Sequence, residues 1–302
     1  MTVPQAPRPP PDRDAVIFAL SRRGFFSEIN VLVLNVAYAL AAGEDLFLDD
    51  SAFLVDWDDL LEPTLRSGSQ LRKRRYRRVT HSSLRGDRTA WFQRLHWVKR
   101  DCDAGLHVSV PSIGFEGTWR DLLFQVSKQV FIPKPEIVAL ADQAQAELGL
   151  QSRFAAIHVR RGDKVAGDRL ANGDLRVEGE VVPVAAYVRE LSARAPDIRR
   201  VFVLTDDYRE AVQAQAQFPD LQFVTLCTPE EEGYFQQSFL AMSHEGKVRS
   251  LRRLMAEVLI ATRSAVFVGA YRSNVSLTIA ALHSRPDDCA SVDRAVAWTP
   301  MV

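Results

Sequence analysis

Four short apolar runs in the second half of the chain each give way to polar residues and then to a helical pattern. This rhythm constrains the fold more than any other feature. FAAIHVR (154–160), VFVLT (201–205), LQFVTLC (221–227) and AVFVGA (265–270) read as strands. Among them lie VVPVAAYVRELSARA, a helix begun near Pro183, and DDYREAVQAQAQF, a second helix. Further helices run from about Lys247 to Ser264 and from Ser273 to His283. The 247–264 segment carries Val248, Leu251, Leu254, Met255, Val258 and Leu259 on one helical stripe. Strands alternating with helices predict a parallel, doubly wound sheet.

In such a sheet, ligands bind beyond the carboxyl ends of the strands. Three polar clusters fall at that edge: His158 to Lys164, Thr205 to Asp207, and Arg272 to Asn274. The first follows Phe-Ala-Ala-Ile directly. Burial makes charge costly, so such a cluster is solvated, mutually paired, or arranged for a charged ligand. Arginine at a strand end, with Gly162 permitting a sharp turn, suits a pyrophosphate, because the guanidinium fork matches phosphate oxygens. Ser273-Asn274 at the start of the last helix offers backbone N–H groups and a positive dipole end, a second phosphate cradle. Ser and Asn are also ordinary helix caps.

The first half is less regular. SRRGFFSEINVLVLNVAYALAAGEDLFLDDS reads as a loop, a helix opened by Ser27 or Asn30 and stopped at Gly43, and a short buried strand LFL. The stretch LRKRRYRRVTHSSLRGDR (71–88) is strongly basic and reads as a solvated surface loop, with an anionic-ligand or acceptor-binding loop as the rival. Residues 101–131 show no clean periodicity. Pro133 and Pro135 mark a boundary before a helix that runs to about Leu148. The predicted division is a disordered lead-in over 1–15, an N-terminal α/β domain over 16–149, and a C-terminal Rossmann-like α/β domain over 150–302.

Composition narrows the function classes. The 302 residues carry 38 basic and 38 acidic side chains, so bulk attraction to nucleic acid or to a membrane is not predicted. Cys102, Cys227 and Cys289 are three, widely spaced and without a CxxC pair, which argues against a disulfide framework or a zinc site and for a reducing compartment. MTVPQAPRPPPDRD lacks the apolar core of a signal peptide, and INVLVLNVAYALAAG reads as too short to span a bilayer. A cytoplasmic location is therefore expected.

Several familiar site signatures are missing. SHEGKVRS has a Gly-Lys pair but no leading glycine of a Walker A loop, and no GxGxxG follows a strand. The DxD triplets at Asp12–Asp14, Asp56–Asp58 and Asp101–Asp103 lie in scattered contexts and read as chance; the histidines show no HxH or HxxxH pairing. No metal and no resident cofactor is expected. With no metal to neutralise a leaving diphosphate, arginine and a helix N-terminus take that part, which suits a metal-independent transferase with a nucleotide-sugar donor.

IHVRRGDKV is similar to the HVRRTDKV signature of α-1,6-fucosyltransferases and to the HVR segment of rhizobial nodulation fucosyltransferases. VFVLTDDYREAVQAQAQFPDLQFV resembles their strand–TDD–helix segment, and RSLRRLMAEVLIATRSAVFVGAYRSNVSLTIAALH their helix–strand–"FSSQV"–helix close. RRGFFSEINVLVLNVAYALAAGEDLFLDD resembles, more weakly, their glycine loop, helix and strand, and VDWDDLLEPTL a following tryptophan segment. The resemblance covers most of residues 20–65 and 150–285.

What the resemblance implies is a GT-B-like fold of two Rossmann-like α/β domains, 16–149 on the acceptor side and 150–302 binding the nucleotide sugar, with GDP-fucose as donor, inversion at the anomeric carbon, no metal, and a carbohydrate or glycoconjugate acceptor. Arg160 matches the arginine that binds the β-phosphate and stabilises departing GDP. His158 matches a histidine near the nucleotide, and Arg161 the second arginine. Thr205 and Asp206 match the TDD turn, and Gly24 the glycine of the donor loop. Glu257 falls where the family has an aspartate that receives the guanine edge. Arg272, Ser273 and Asn274 replace Ser-Ser-Gln, keeping the cap and adding a charge.

Asp168 occupies the position of the family's catalytic glutamate and would take the acceptor proton, with Lys164 holding it or a neighbouring carboxylate in place. The chain has roughly ten more residues before Pro183 than the family pattern, so Asp174, Glu178 and Glu180 stay open as alternatives. Trp57 or Trp91 and the basic stretch are candidates for the acceptor cleft. Two rivals remain beside the fucosyltransferase: a transferase using another nucleotide sugar, and a non-catalytic nucleotide- or glycan-binding protein.

Overall fold

The computed structural model describes residues 15–70, 76–80, 107–166, 168–169, 175–176 and 181–293. The chain divides into two compact units, Met1–Ile132 with Thr299–Val302, and Pro133–Trp298. The divide falls earlier than the expected 149/150 boundary. The reason is the helix Pro135–Glu147, which packs along a long helix of the second unit, His244–Thr262.

The first unit is built on strands β1 (Ala15–Ala19), β2 (Asp45–Asp49), β3 (Arg66–Ser67) and β4 (Tyr76–Thr80), in the order β3-β2-β1-β4 and all parallel. Ala15, placed by sequence in the lead-in, opens the buried strand AVIFA instead. The basic stretch expected as a loop likewise contributes a strand at 76–80; residues 71–75 and 81–88 lie outside the described residues.

Helix α1 (Phe25–Ala42) starts at Phe25, before either predicted cap, and ends at Gly43 as read. Buried Glu28 fixes its start by accepting hydrogen bonds from the backbone N–H and the hydroxyl of Ser21 at 3.0 and 2.7 Å. With 18 residues and a mean hydropathy of 1.6, α1 is long and apolar enough to cross a membrane, contrary to the sequence reading. Most of it, 78 %, is buried inside the protein against the sheet and its neighbours.

The middle segment also has structure that its periodicity hides. A hairpin of β5 (His107–Val110) and β6 (Phe115–Thr118) leads into helix α2 (Trp119–Val130). Thr118 and Asp121 form a reciprocal capping box there, each satisfying a backbone N–H of the other's turn. Helix α3 (Pro135–Glu147) then opens the second unit.

The second unit carries the parallel sheet that the sequence predicts, with a fifth strand, Cys289–Ser291, that the sequence reading lacks. Its strands are β7 (Ala155–Val159), β10 (Arg200–Thr205), β11 (Gln222–Val224), β12 (Val266–Gly269) and β13 (Cys289–Ser291), ordered β11-β10-β7-β12-β13. Short strands β8 (Asp168–Arg169) and β9 (Leu175–Arg176) form a separate antiparallel pair. Helices α4 (Asp163–Ala166), α5 (Val184–Arg194), α6 (Tyr208–Gln217), α7 (Gln236–Ala241), α8 (His244–Thr262) and α9 (Asn274–Leu282) connect them. β7, β10 and β12 are apolar on both faces because the sheet packs between helices, and Ala155, Ile157, Val159, Val201, Val203 and Val268 join Tyr187, Val188 and Leu191 of α5 in one core.

The chain builds outward from β7 through β10 to β11, then crosses back through α8 to lay β12 on the other side of β7. The direction of winding reverses between β7 and β12. In an open α/β sheet that reversal splays the connecting loops apart and leaves a crevice at the strand ends.

Candidate functional site

His158 lies on β7 beside that crevice. Its Nδ1 is 2.7 Å from the Ser276 hydroxyl on α9 and 3.5 Å from that of Ser273, so the imidazole ties β7 to the helix that follows β12. Burial, with the Arg160 charge as a second cause, pushes its pKa down to about 3. The ring is neutral at any working pH and acts as a hydrogen-bonding bridge, not a cation.

Two residues further on, Arg160 emerges at the end of the strand. Its Nη1 donates to Asp206 and its Nη2 to Asp163 at 2.7 Å, while the guanidinium carbon sits 4.7 Å from the centre of the Tyr234 ring. The pairing of Asp163 with a basic neighbour was legible in the sequence. A guanidinium has five N–H donors. Asp206 and Asp163 use two, and the others meet no partner among the described residues.

Arg161 differs. Its Nε and Nη2 grip both oxygens of Glu210 on α6 at 2.6 and 2.9 Å, and Nη2 and Nη1 also donate to the carbonyls of Val182 and Arg160. The side chain is about one-tenth exposed. Both arginines lie just past the end of β7, where the chain turns, and their side chains go to different partners. The geometry therefore gives Arg161 a structural pairing in place of the donor contact expected of it.

Thr205 closes β10, paired with Val159 at the end of β7, and Asp206 follows it. The Thr205 hydroxyl is spent on the turn, contacting the backbone N–H and carbonyl of Asp207 at 3.2 Å. Asp206 accepts from the backbone N–H groups of Arg161 and Tyr234 at 2.7 and 2.9 Å as well as from Arg160. Both hold the edge together, the Thr205 hydroxyl and the Asp206 carboxylate being engaged by groups of the protein itself.

Glu257 on α8 is buried, and its Oε1 is 3.4 Å from Arg253 Nε. Burial pushes its pKa up to about 7, against the opposing pull of Arg253. Arg253 also reaches Glu231 at 2.8 Å. Ser273 precedes α9 without using its side chain to cap it, Asn274 is the first residue of that helix, and Arg272 is exposed with its backbone N–H on Asp293 at 3.2 Å. The three predicted clusters thus meet at one sheet edge.

Other expectations fare differently. Gly24 is the residue before α1 in the first unit, with φ −56° and open space where a Cβ would stand, so nothing local demands glycine there. Trp57, expected to face an acceptor, is buried, rests on Phe53 and donates its indole N–H to the Glu62 carbonyl at 3.4 Å. Lys164 is half-buried on α4. Asp168 pairs its backbone with Arg176 in the β8–β9 hairpin. Asp174, Glu178, Glu180 and Trp91 lie outside the described residues.

The sequence reading missed Tyr234. It sits 74 positions after Arg160 in a polar, acidic loop, where only Gly233-Tyr234-Phe235 following TPEEE hints at a packed ring.

No protein-family model and no curated protein matches the sequence. Solved structures do. The chain is similar to NodZ α-1,6-fucosyltransferase soaked with GDP-fucose, with a TM-score of 0.52 and 14% identity over 89% of this chain and 93% of that one. It is similar to fucosyltransferase NodZ from Bradyrhizobium, with a TM-score of 0.50 and 15% identity over 89% and 92%. A point mutant of Arabidopsis thaliana FUT1 in complex with GDP gives 0.50 and 12% identity over 90% of this chain and 70% of that one. The fold is the mixed, parallel-sheet α/β fold of these GT-B proteins.

Proposed function

We propose that the chain is a glycosyltransferase that takes fucose from GDP-fucose and transfers it to a hydroxyl of a glycan or glycoconjugate. One observation carries this reading. Arg160 stands at the strand-end crevice with its plane set by two carboxylates and a ring, and with N–H donors left over. A diphosphate is the ligand that such a fork fits. The shared fold supports the donor, since NodZ was solved with GDP-fucose and FUT1 with GDP.

In this reading the diphosphate lies between Arg160 and the N-terminus of α9, where backbone N–H groups add positive potential. The acceptor oxygen attacks the anomeric carbon from the face opposite GDP. The bond from that carbon to the β-phosphate oxygen breaks, and its electron pair goes to the phosphate, where Arg160 neutralises it. The acceptor proton passes to a carboxylate, Asp168 or one of Asp174, Glu178 and Glu180. This is inversion without a metal, and activity is expected to persist in EDTA. Glu257 would receive the guanine edge once Arg253 turns from it. Because Arg253 occupies that carboxylate, a different nucleotide sugar is the second reading. Cys227 and Cys289, buried and unbridged, favour a reducing, cytoplasmic location.

A hydrolysis and transfer screen over GDP-fucose, GDP-mannose and UDP-sugars tests the proposal. Release of fucose from GDP-fucose alone supports it. Release from another donor moves the chain to the second reading, and release from none makes it a binding protein.

A further inference from the structure

The loop between β11 and α7 crosses the end of β7 and is fastened there at several points. Gly233 N–H donates to the Asp206 carbonyl at 2.7 Å, and Tyr234 N–H to the Asp206 carboxylate at 2.9 Å. In return, Asp163 N–H donates to the Tyr234 carbonyl at 2.9 Å, and Gln236 N–H to the Asp163 carboxylate at 3.3 Å. Asp206 and Asp163 therefore each bind both Arg160 and the Tyr234 loop, Asp206 through one oxygen, Oδ2, and Asp163 through its two.

Two glycines make the crossing close enough. Gly162 has φ +54°, and a Cβ there would fall 2.2 Å from the Tyr234 carbonyl oxygen. Gly233 has φ +118°, and its Cβ would fall 2.7 Å from the Gly162 Cα. The backbones pass with no room for a side chain on either. At its earlier end the same loop is tied down by Glu231, which accepts from Arg253 and from Thr228 N–H.

The fastening delivers the Tyr234 ring onto Arg160. The ring also contacts the fully buried Phe239 at 5.7 Å, and its hydroxyl donates to Gln236 at 2.6 Å. Burial raises the phenol above its ordinary range, so it stays neutral. A neutral ring at van der Waals distance attracts the guanidinium through its quadrupole without using an N–H donor. Carboxylates alone would hold two donors and leave the fork free to rock about them.

We propose that Tyr234 is a positioning residue: its ring, clamped at 4.7 Å from the Arg160 guanidinium by the Gly162–Gly233 crossing, keeps the fork in the plane in which it meets a diphosphate. The inference rests on the diphosphate reading of Arg160 given above. It assigns the β11–α7 loop to the donor site, a part of the chain with no candidate residue in the sequence reading.

The test is calorimetric titration of GDP into the full-length wild type and into Tyr234→Phe, Tyr234→Leu and Tyr234→Met, with thermal melts as a check on folding. Tyr234→Phe keeps the ring and is expected to bind GDP within about threefold of wild type, whereas the Leu and Met variants bind about tenfold more weakly. In an Arg160→Ala background, Tyr234→Leu is expected to cost nothing further, because it acts through the absent guanidinium. Equal affinity for Tyr234→Phe and Tyr234→Leu, or the same loss with and without Arg160, overturns the inference and leaves the donor site standing. GDP binding that ignores Arg160→Ala overturns the donor-site reading itself, and this inference falls with it.

Discussion

Arg161 grips both carboxylate oxygens of Glu210 at 2.6 and 2.9 Å, while its neighbour Arg160 turns to the sheet edge and keeps N–H donors unspent. Two adjacent arginines thus divide into a brace and a binder. The brace joins the end of β7 to α6, and the binder depends on that end staying where it is.

Breaking the brace exposes its cost. Arg161→Ala or Glu210→Ala leaves a buried charge without its partner and is expected to destabilise the protein by about 3–5 kcal/mol. Replacing both with apolar residues of similar volume, Arg161→Met with Glu210→Leu, should recover much of that loss. Chemical denaturation of the three variants measures it. If the single variants melt like wild type, the pair is not the brace described.

His158 sets an acid limit. Its folded pKa is pushed from 6.5 down to about 3, so between those values the unfolded chain binds a proton that the folded chain refuses. Stability attributable to this site is intact above pH 6.5 and is lost as pH falls toward 3, on the order of 3 kcal/mol by pH 4. His158→Asn should flatten that part of the stability profile. An unchanged acid slope in the variant would show that the imidazole is not buried neutral.

Glu257 acts with the opposite sign. Burial raises its pKa from 4.5 to about 7, so the folded chain holds a proton that the unfolded chain gives up in that window. Stability should fall as pH rises from about 4.5 through 7, by up to about 3 kcal/mol, offset by the nearby Arg253 and sharpened by Glu231 and Asp206. Glu257→Gln should gain on wild type steadily from pH 5 to pH 8 in thermal melts. A constant difference across that range contradicts the assignment.

The centre of the sheet in the second unit was legible because β7, β10 and β12 are buried on both faces and read as unbroken apolar runs between helices, whereas the edge strand Cys289–Ser291 is too short to be read. The convergence of His158, Thr205–Asp206 and Ser273 followed from the rule that strand ends gather ligands. β4 was not legible, since Tyr76-Arg-Arg-Val-Thr is a short, charged run that lies at the edge of the sheet beside β1. β1 was hidden by its short length directly after a proline-rich stretch. Helix α2 was announced only by Thr118 and Asp121, a capping box with aspartate where glutamate is the usual sign. The sequence placed Arg160 and Arg161 together at the donor, and it named neither Glu210 nor Tyr234. Those partners lie far along the chain, and only the register of β10 beside β7 and the glycine crossing bring them in.

The central claim is that Arg160 binds the diphosphate of a guanine nucleotide at the β7–β12 crevice. Titrating GDP, UDP and ADP into wild type and Arg160→Ala tests it most directly. The account predicts clear binding of GDP, much weaker binding of UDP and ADP, and a loss of GDP affinity of about a hundredfold in Arg160→Ala, with a cooperative melt retained at a lowered melting temperature. Equal affinity for the three nucleotides, or GDP binding untouched by the substitution, would contradict it.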